Sequence, residues 1–532
     1  MGSGFTGRVD LVADDAVVTP PPPRPSASFK TQLVRLIAQN GTLLFHSPEG
    51  QPYATVKIAD HRETMHLASH AFCDYLSREY YNARQKVPGG GDLKDAIRVL
   101  TASAKHRGPQ HDVFIRLARV DDVIWLDLGR PQWDAIRITA AGWSLVASPA
   151  VKFRRSRGLL ALPEPLRGVR TLTEMLKALI NISDPMLLIA WLLGALRGRK
   201  PYPILDINGE QGTAKSTAER YLRRLIDPNT ADLRLPPKEP RDIMIAALNS
   251  HVLAYDNLSK IDDWFSDALC VLSTGGGFST RELFSDLDET LFSAERPIML
   301  NGITSVVTRP DLLDRALVVT LDPIADDKRR SEADLDAAFQ NAHPAILAGL
   351  LDAVVMALRN ETTTKIERLP RMADFATWIV AAEPALGWKA GEFLAVYQDN
   401  QQLAVESVLD TDIVAEAVRS LPFKEGLWKG QLKDLLATIP ESKYKPRSPR
   451  GLRGALQRLA PAFRRIGITM TFARGNKRTI TICQGVVRGD QQKLEYPRVE
   501  AEKSHADEGE DDRHFADADE DADTEADTEV PF

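Results

Sequence analysis

The sequence predicts a multidomain α/β protein built around a phosphate-binding loop, with a mixed α+β domain before that core and a basic module after it. Three observations carry this reading. Residues 202–226 run as apolar strand, glycine-rich loop and helix-spaced segment. From Tyr202 to Pro323 short apolar runs alternate with polar segments, as strands and helices do in an α/β core. Beyond Leu421 the charge turns strongly basic and then strongly acidic.

The bulk numbers agree with a globular chain. Of 532 residues, 43% are hydrophobic and 26% charged, ordinary values for a folded soluble protein. Cys73, Cys270 and Cys483 lie far apart and form no C-x-x-C pair. That argues against a disulfide framework or a zinc cluster and fits a reducing cytoplasm. The apolar run "MLLIAWLLGAL" (Met186 to Leu196) is about half the length a bilayer span needs and reads as a buried helix. No signal pattern opens the chain, so no membrane partner is expected.

The elements follow in order. Residues 1–28 include "TPPPPRPSAS" and read as a disordered arm. Residues 29–157 form the expected mixed domain. In it, "GTLLFHSPEGQPYATVKI" reads as two strands around a Pro-Glu-Gly turn. "SHAFCDYLSREYYNARQ" and "DLKDAIRVLTASAK" have helical spacing, and "DVFIRLARVDDVIWLDLG" reads as a hairpin turning at Asp-Asp. Residues 158–330 supply a helical lead-in and the nucleotide core. Residues 331–420 are helical and rich in alanine and leucine; 421–498 form the basic module and 499–532 an acidic tail.

In the core, "YPILDI" precedes "NGEQGTAKST". Strand, glycine-rich loop and helix is the context in which backbone N–H groups and a helix N-terminus cradle phosphate. The nucleotide-binding residues are therefore Gly209, Glu210, Gln211, Gly212, Thr213, Ala214, Lys215, Ser216 and Thr217. Lys215 supplies charge to β/γ oxygens, and Ser216 offers a hydroxyl to Mg2+. Ala214 stands where the usual pattern has a second glycine; its N–H survives and its methyl is the smallest intrusion. Downstream, "HVLAYD" is an apolar strand ending at Asp256, 41 residues after Lys215. A carboxylate there suits a magnesium partner. A Gly-rich turn and two β-like runs around "SDLDE" follow, then the strand "PIML" ending at Asn301. Arg309 and Arg315 precede another apolar strand.

This order resembles the superfamily 3 helicases, AAA+-type P-loop ATPases of small DNA viruses, poxviruses, and phage or plasmid primase-helicases. The chain also looks like ATP-binding proteins of bacterial integrative elements and prophages. The resemblance implies ATP and Mg2+ as ligands, Lys215, Asp256 and Asn301 as catalytic-site residues, and Arg309 or Arg315 as an arginine finger. A finger acts on a neighbouring subunit, so a homo-oligomer is implied, a ring such as a hexamer or a filament. Asn301 also reads as a strand-end turn residue, and Arg315 as an ion-pair partner of Asp314. Two departures stand out. The second acid expected after Asp256 is Asn257, which cannot act as a base; Asp262 or Asp263 could stand in. The hairpin tip carries Asp286, Asp288 and Glu289 where helicases place a cation, leaving Arg281 and Arg296 at the hairpin base.

The basic module, 421–498, has 17 basic and 5 acidic residues, whereas 500–532 has 2 basic and 15 acidic. The order helix ("LWKGQLKDLLATIP"), helix ("SPRGLRGALQRLAPAFRRIG"), hairpin ("ITMTFARGNKRTITI") reads as a winged helix. Ser448 is a good N-cap. Leu452, Leu456, Leu459, Phe463 and Ile466 fall on one stripe, and Arg450, Arg453, Gln457 and Arg464 on another. Those four, with Lys477 and Arg478 at the wing and Arg281, are the candidate DNA contacts. Pro461 is a misfit within a helix. The alternative is a basic domain that packs on protein. The expected function is a DNA-binding, helicase-like ATPase in replication of a mobile element, with any primase supplied separately. The alternatives are an ATP-switched regulator or loader that hydrolyses weakly, and, disfavoured by the basic module, a small-molecule kinase.

Overall fold

The computed structural model describes residues 28–281, 289–442, 445–473, 479–487 and 494–495. The expected arm before Ser28, the hairpin-tip acids Asp286 and Asp288, the wing residues Lys477 and Arg478, and the tail 499–532 lie outside the described residues.

The N-terminal unit packs α1 (Phe29–Gln39), α2 (His70–Arg84) and α3 (Gly90–Arg107) on an antiparallel meander of β1 (Leu43–His46), β2 (Pro52–Ile58) and β3 (His61–His66). Ile37, Ala54, Val56, Phe72, Leu76 and Leu100 close its core. Ser69 caps α2 by accepting the Phe72 N–H, as serine does at helix starts. A two-residue parallel pair follows, β4 (Val113–Phe114) with β9 (Lys152–Phe153). Between them lies a four-stranded antiparallel sheet: β5 (Leu117–Val120), β6 (Val123–Asp127), β7 (Ala135–Thr139) and β8 (Gly142–Val146). The β5–β6 hairpin turns at Asp121-Asp122, with Asp121 in the left-handed region at φ 52°.

This second sheet moves the expected division at 157. Ile124, Leu126, Ile136 and Ile138 share one apolar core with α4 (Leu172–Leu179), α5 (Met186–Ala195) and α10 (Glu332–Asn360). A sheet with one apolar face must cover it, and α10 does so. The helices α10, α11 (Ala373–Leu386) and α12 (Glu392–Thr411) likewise pack into the α/β core instead of forming a region of their own. By length and composition α10 could cross a bilayer, which the sequence reading did not anticipate. Its Ile346, Leu347, Leu350 and Leu351 are instead fully buried against the rest of the chain. Throughout α5 the side chains are nearly all buried, as expected for a helix apolar all round.

The central sheet is parallel, in the order β11 (Leu253–Leu258), β14 (Ile298–Gly302), β10 (Ile204–Asn208), β15 (Ala316–Thr320). An isolated parallel bridge, Arg234 to Tyr255, extends it beyond β11. Alternation assigns the two faces. Leu205, Ile207, Ala254, Met299, Leu317 and Val319 enter the core shared with α6 (Lys215–Ile226), α5 and α10. Ile204, Leu253, Tyr255, Ile298, Leu300 and Ala316 enter the core shared with α7 (Pro240–Asn249) and α8 (Asp263–Thr274). Both faces are apolar because helices cover both. A hairpin of β12 (Gly277–Arg281) and β13 (Glu289–Ser293) precedes β14. The short α9 (Pro310–Leu313) leads into β15, and a 3-10 turn at Asp326–Lys328 follows it.

The C-terminal module continues the second core. Its order is α13 (Ile413–Arg419), β16 (Leu427–Gln431), α14 (Leu432–Thr438), α15 (Pro449–Arg465), β17 (Ile468–Phe472) and β18 (Thr479–Gln484), with the sheet arranged β16-β18-β17. A small pair, β19 (Val486–Val487) with β20 (Leu494–Glu495), ends the described chain. The segment expected to be one helix from Leu427 is therefore split. Leu427–Gln431 pairs with β18, and the helix begins at Leu432. Pro461 does not break α15. The carbonyl it leaves unpaired belongs to Gln457, on the exposed face where water can satisfy it.

One buried ion pair ties these parts together. Arg116 is fully buried; its Nε donates to Asp227 Oδ1 at 3.0 Å, and its Nη atoms donate to the carbonyls of Asp127, Leu160 and Pro228. Asp227 caps the C-terminal end of α6 and accepts the N–H groups of His251 and Val252 at 3.0 Å. Burial alone would raise its pKa, but Arg116 and Arg223 hold the carboxyl below its ordinary range. Removing one partner leaves the other charged and buried. Arg116→Ala should therefore cost about 3–5 kcal/mol and lower the melting temperature clearly. The Arg116→Met, Asp227→Asn double variant should lose less than Arg116→Ala alone in the same thermal melt.

Candidate functional site

The site forms where strands end. In a parallel sheet ligands bind outside the carboxyl ends, beside a point where strand order reverses. Here β10 lies between β14 and β15, and the loop 209–214 leaves it to start α6. Gly209 and Gly212 take φ of 150° and 87°, values open to glycine. A Cβ on Gly209 would stand 2.9 Å from Thr213 Oγ1 and 3.2 Å from the Leu321 carbonyl. Ala214 also sits in the left-handed region, at φ 63°. The position that glycine occupies in the usual pattern thus keeps a glycine's backbone shape here, at a strain of about 1–2 kcal/mol for a residue with Cβ.

The predicted residues converge. Lys215 Nζ donates to the carbonyls of Gly209 at 2.8 Å and Glu210 at 2.7 Å, drawing the loop around itself. Thr213 is buried and its hydroxyl donates to the Glu210 carbonyl at 3.0 Å. Ser216 Oγ donates to Asp256 Oδ1 at 2.8 Å, although 40 residues separate them. Asn301 is buried, and its Oδ1 accepts the Asn257 N–H at 3.0 Å. It is thus a positioned polar group at a strand end, not a turn residue. Gln211, Gly212, Ala214, Lys215, Ser216, Thr217, Asp256, Asn257 and Asn301 line one cleft of about 640 Å³. The paired hydroxyl and carboxylate are hard oxygen donors of the kind magnesium takes, so Ser216 and Asp256 fit the ion that the sequence implies.

Asn257 explains itself locally. It has φ 58°, and asparagine tolerates the left-handed region better than glutamate does. Its side chain is exposed toward the cleft. Asp262 and Asp263, which could have replaced the missing acid, start α8 and do not line the cleft; Asp262 pairs with Lys260 and Asp263 with Arg309.

The two candidate fingers lie away from this cleft. Arg309 caps α9 and faces Asp267 at 2.8 Å, Asp311 at 3.1 Å and Asp263 at 3.6 Å. Arg315 stands just before β15, at the end of the parallel sheet opposite the loop. Its expected ion pair with Asp314 is not formed. Arg315 donates to the Asp311 carbonyl, while Asp314 is held by Arg371 at 3.1 Å and Arg465 at 2.5 Å. Two arginines from distant segments outbid the sequence neighbour. Arg296, expected at the hairpin base, donates to the carbonyls of Ala247, Ser250 and Glu295 and is structural. Arg281 ends β12, and its side chain lies outside the described residues.

On α15 the two stripes separate as expected. Leu452, Leu456, Leu459 and Phe463 are buried, and Arg450, Arg453, Gln457 and Arg464 are exposed. Ile466 is only half-buried, at the end of the helix. Ser448 caps the helix through the Gly451 N–H at 3.1 Å. Arg453 also lies over the Phe472 ring, 5.0 Å from its centre.

Sequence reasoning missed two groups. Arg329 reaches within about 4 Å of where a Gly212 Cβ would stand. It helps to line a second cleft of about 620 Å³ that shares Gly212, Ala214 and Thr217 with the first and has Ile180, Ile324 and Leu335 in its walls. Glu219, on α6, is fully buried behind Asn301. Its position one turn after Ser216 was a signal, since a carboxylate on the buried face of an amphipathic helix needs a reason.

The fold and site define a multidomain α/β protein with a cleft at a strand–loop–helix junction and a basic-faced C-terminal module. Residues 172–401 match the family model described as actinomycete integrative conjugative element replication protein. Residues 414–493 match that of the AICE RepA C-terminal domain. The two models together span more than half of the chain and identify these regions as those of an integrative-element replication protein. No curated protein matches the chain. Among solved structures, the apo C-terminal region of NrS-1 is 10% identical at a TM-score of 0.37, covering 85% of this chain and 98% of that one. The SCCmec type IV Cch active helicase is 11% identical at a TM-score of 0.40, covering 78% and 88%.

The loop geometry sets a test. If the cleft takes ATP, Lys215→Ala would remove charge-assisted contacts to phosphate worth about 1.5–3 kcal/mol and should weaken ATP binding by about 10- to 100-fold in a fluorescent-nucleotide titration. Ala214→Gly keeps the backbone donor and relieves the left-handed strain, so it should bind ATP within about threefold of the wild type.

Proposed function

We propose that this chain is a DNA-binding ATPase, helicase-like in architecture, that acts in replication of its integrative element. The observation that carries the reading is the 2.8 Å contact between Ser216 and Asp256, at the strand ends where Lys215 and Asn301 also converge. The sheet order β11-β14-β10-β15, with the Arg234 bridge outside β11, supports an AAA+ core of the superfamily 3 type. Phosphates would lie along the loop N–H groups, with the base over Ile180, Ile324 and Leu335 in the adjoining cleft. Magnesium, held by Ser216 and by Asp256, would neutralise charge on the β/γ oxygens. Lys215 and Arg329 supply further positive charge from the same chain. Arg309 and Arg315 do not line this cleft, which is compatible with a role toward a neighbour's nucleotide in a ring.

In the C-terminal module the order helix, strand, helix, helix and hairpin supports a winged helix. Its α15 would present Arg450, Arg453, Gln457 and Arg464 to DNA. Asn257 favours a second reading, an ATP-switched regulator or loader that hydrolyses weakly, because no carboxylate follows Asp256 to polarise water. ATPase rate with and without single- and double-stranded DNA, alongside particle mass, separates the two. DNA-stimulated turnover in an oligomer supports the first reading. Negligible turnover with tight ATP-dependent DNA binding supports the second.

Two variants sharpen the outcome. Asn257→Asp keeps a residue that tolerates the left-handed turn and restores a carboxylate. A general base typically contributes about 10²–10⁴-fold, so turnover should rise at least about tenfold; a flat rate with ATP still bound shows that another group polarises the water. Replacing Arg450, Arg453 and Arg464 with alanine should weaken DNA binding and flatten its log–log salt dependence by up to about three units. Salt titration by fluorescence anisotropy reads both, and wild-type behaviour would move the DNA surface elsewhere.

A further inference from the structure

Behind the cleft, one carboxyl has no role in the reading above. Glu219 lies one helical turn after Ser216 and shows no exposed surface. Its Oε2 accepts a hydrogen bond from Asn301 Nδ2. Its Oε1 is buried with no hydrogen-bond partner. The nearby cation, Arg223, turns its Nη atoms elsewhere, to the carbonyls of Ala231 and Asp232 and to Ser250 Oγ, and its Nε makes no hydrogen bond to Glu219. No ion pair therefore compensates Glu219 among the described residues.

The other end of Asn301 is also fixed. Its Oδ1 accepts the N–H of Asn257, the residue in the left-handed turn beside Asp256. A planar amide held at both ends has one orientation. Its oxygen is committed to the strand that carries Asp256, one Nδ2 hydrogen is committed to Glu219, and the second Nδ2 hydrogen remains to serve the cleft that Asn301 lines. If Glu219 offered no acceptor, the amide could rotate and present its oxygen, which would repel a phosphate.

We propose that Glu219 is a positioning residue: as a buried hydrogen-bond acceptor it fixes the Asn301 amide so that an N–H faces the γ-phosphate or the attacking water. It is not the missing general base. Burial, and after it the Asp256 charge, push its pKa well above the usual carboxylate range, against the Asn301 bond and the Arg223 charge, which disfavours the deprotonated form that a base needs. A neutral acid still accepts a hydrogen bond through its carbonyl oxygen, and so does an amide. This inference rests on the reading of the cleft as an ATP site.

The test uses the full chain, single-turnover hydrolysis with enzyme in excess so that slow rates are read, and a fluorescent ATP analogue for affinity. Glu219→Gln preserves the acceptor and should hydrolyse within about threefold of the wild type. Glu219→Met fills a similar volume without an acceptor and should lose at least about tenfold in rate, as when one transition-state donor is misplaced, with affinity within about threefold. Asn301→Ala should show the same loss, and the Glu219→Met, Asn301→Ala double variant should be no slower than either single one. A Gln variant as slow as the Met variant would overturn the proposal in favour of a base. Full activity in the Met variant, or additive losses in the double, would reduce Glu219 to packing. If the Met variant does not fold, the Gln variant and Asn301→Ala still decide between acceptor and base. Failure of the wild type to bind ATP, or binding indifferent to Lys215→Ala, would instead sink the ATP-site reading.

Discussion

The structure depends on one constraint: a parallel strand buried on both faces can show its chemistry only at its end. Residues 204–208 are buried throughout, so β10 offers a ligand nothing along its length. The cleft is pushed to the carboxyl edge, where β10 gives way to the loop 209–214, β11 delivers Asp256 and β14 delivers Asn301. The order β11-β14-β10-β15 sets β14 between the acid and the loop. That is why Asn301 can bond both Asn257 on one side and Glu219 on the other. Change the strand order and the same residues would no longer meet.

Legibility in the sequence followed the range of the interaction. The loop 209–214 was readable as a strand–loop–helix turn because its residues are contiguous and its backbone shape demands glycine or a tolerant substitute. Asp256 and Asn301 were readable because an apolar strand that ends in a polar residue is a local pattern. The stripes of α15 were readable from 3.6-residue spacing. The failures were contests between distant partners. Asp314 was assigned to Arg315 by adjacency, but Arg371 and Arg465 reach it from other helices. Nothing near Arg116 announces that its partner is Asp227, 111 residues away. The β5–β8 sheet was assigned to the N-terminal domain because it follows it in sequence, whereas its apolar face is covered by a helix some 200 residues further on. The strand β16 was lost inside a helical reading because its pairing partner β18 lies about 50 residues downstream.

The C-terminal module is not a free appendage on the core. Its Leu432, Leu452, Leu456, Phe463, Ile480 and Ile482 belong to the same apolar cluster as Ile204, Leu253 and Ile298 of the central sheet. Apolar interiors are close-packed and transmit displacement instead of absorbing it. Three faces of α15 therefore carry three different interactions. One is buried, one presents Arg450, Arg453 and Arg464 to solvent, and at its end Arg465 binds Asp314 and Gln401. Asp314 immediately precedes Arg315, and Gln401 donates to the Ala316 carbonyl at the start of β15.

That arrangement ties the exposed arginine face of α15 to the segment that holds Asp314 and Arg315 just before β15. A shift of α15 cannot leave Arg465 behind without exposing Asp314 and Arg371 to a new balance. Asp314 in turn cannot move without its neighbour Arg315. Exposed ion pairs are individually weak, so the Arg465 contact alone would slip under load. The shared apolar core makes the coupling stiff, because Leu456 and Phe463 are fully buried beneath the same helix. In physical terms the packing fixes where α15 sits on the core, and the Asp314 ion pairs fix Arg371 and Arg465 to the segment before β15.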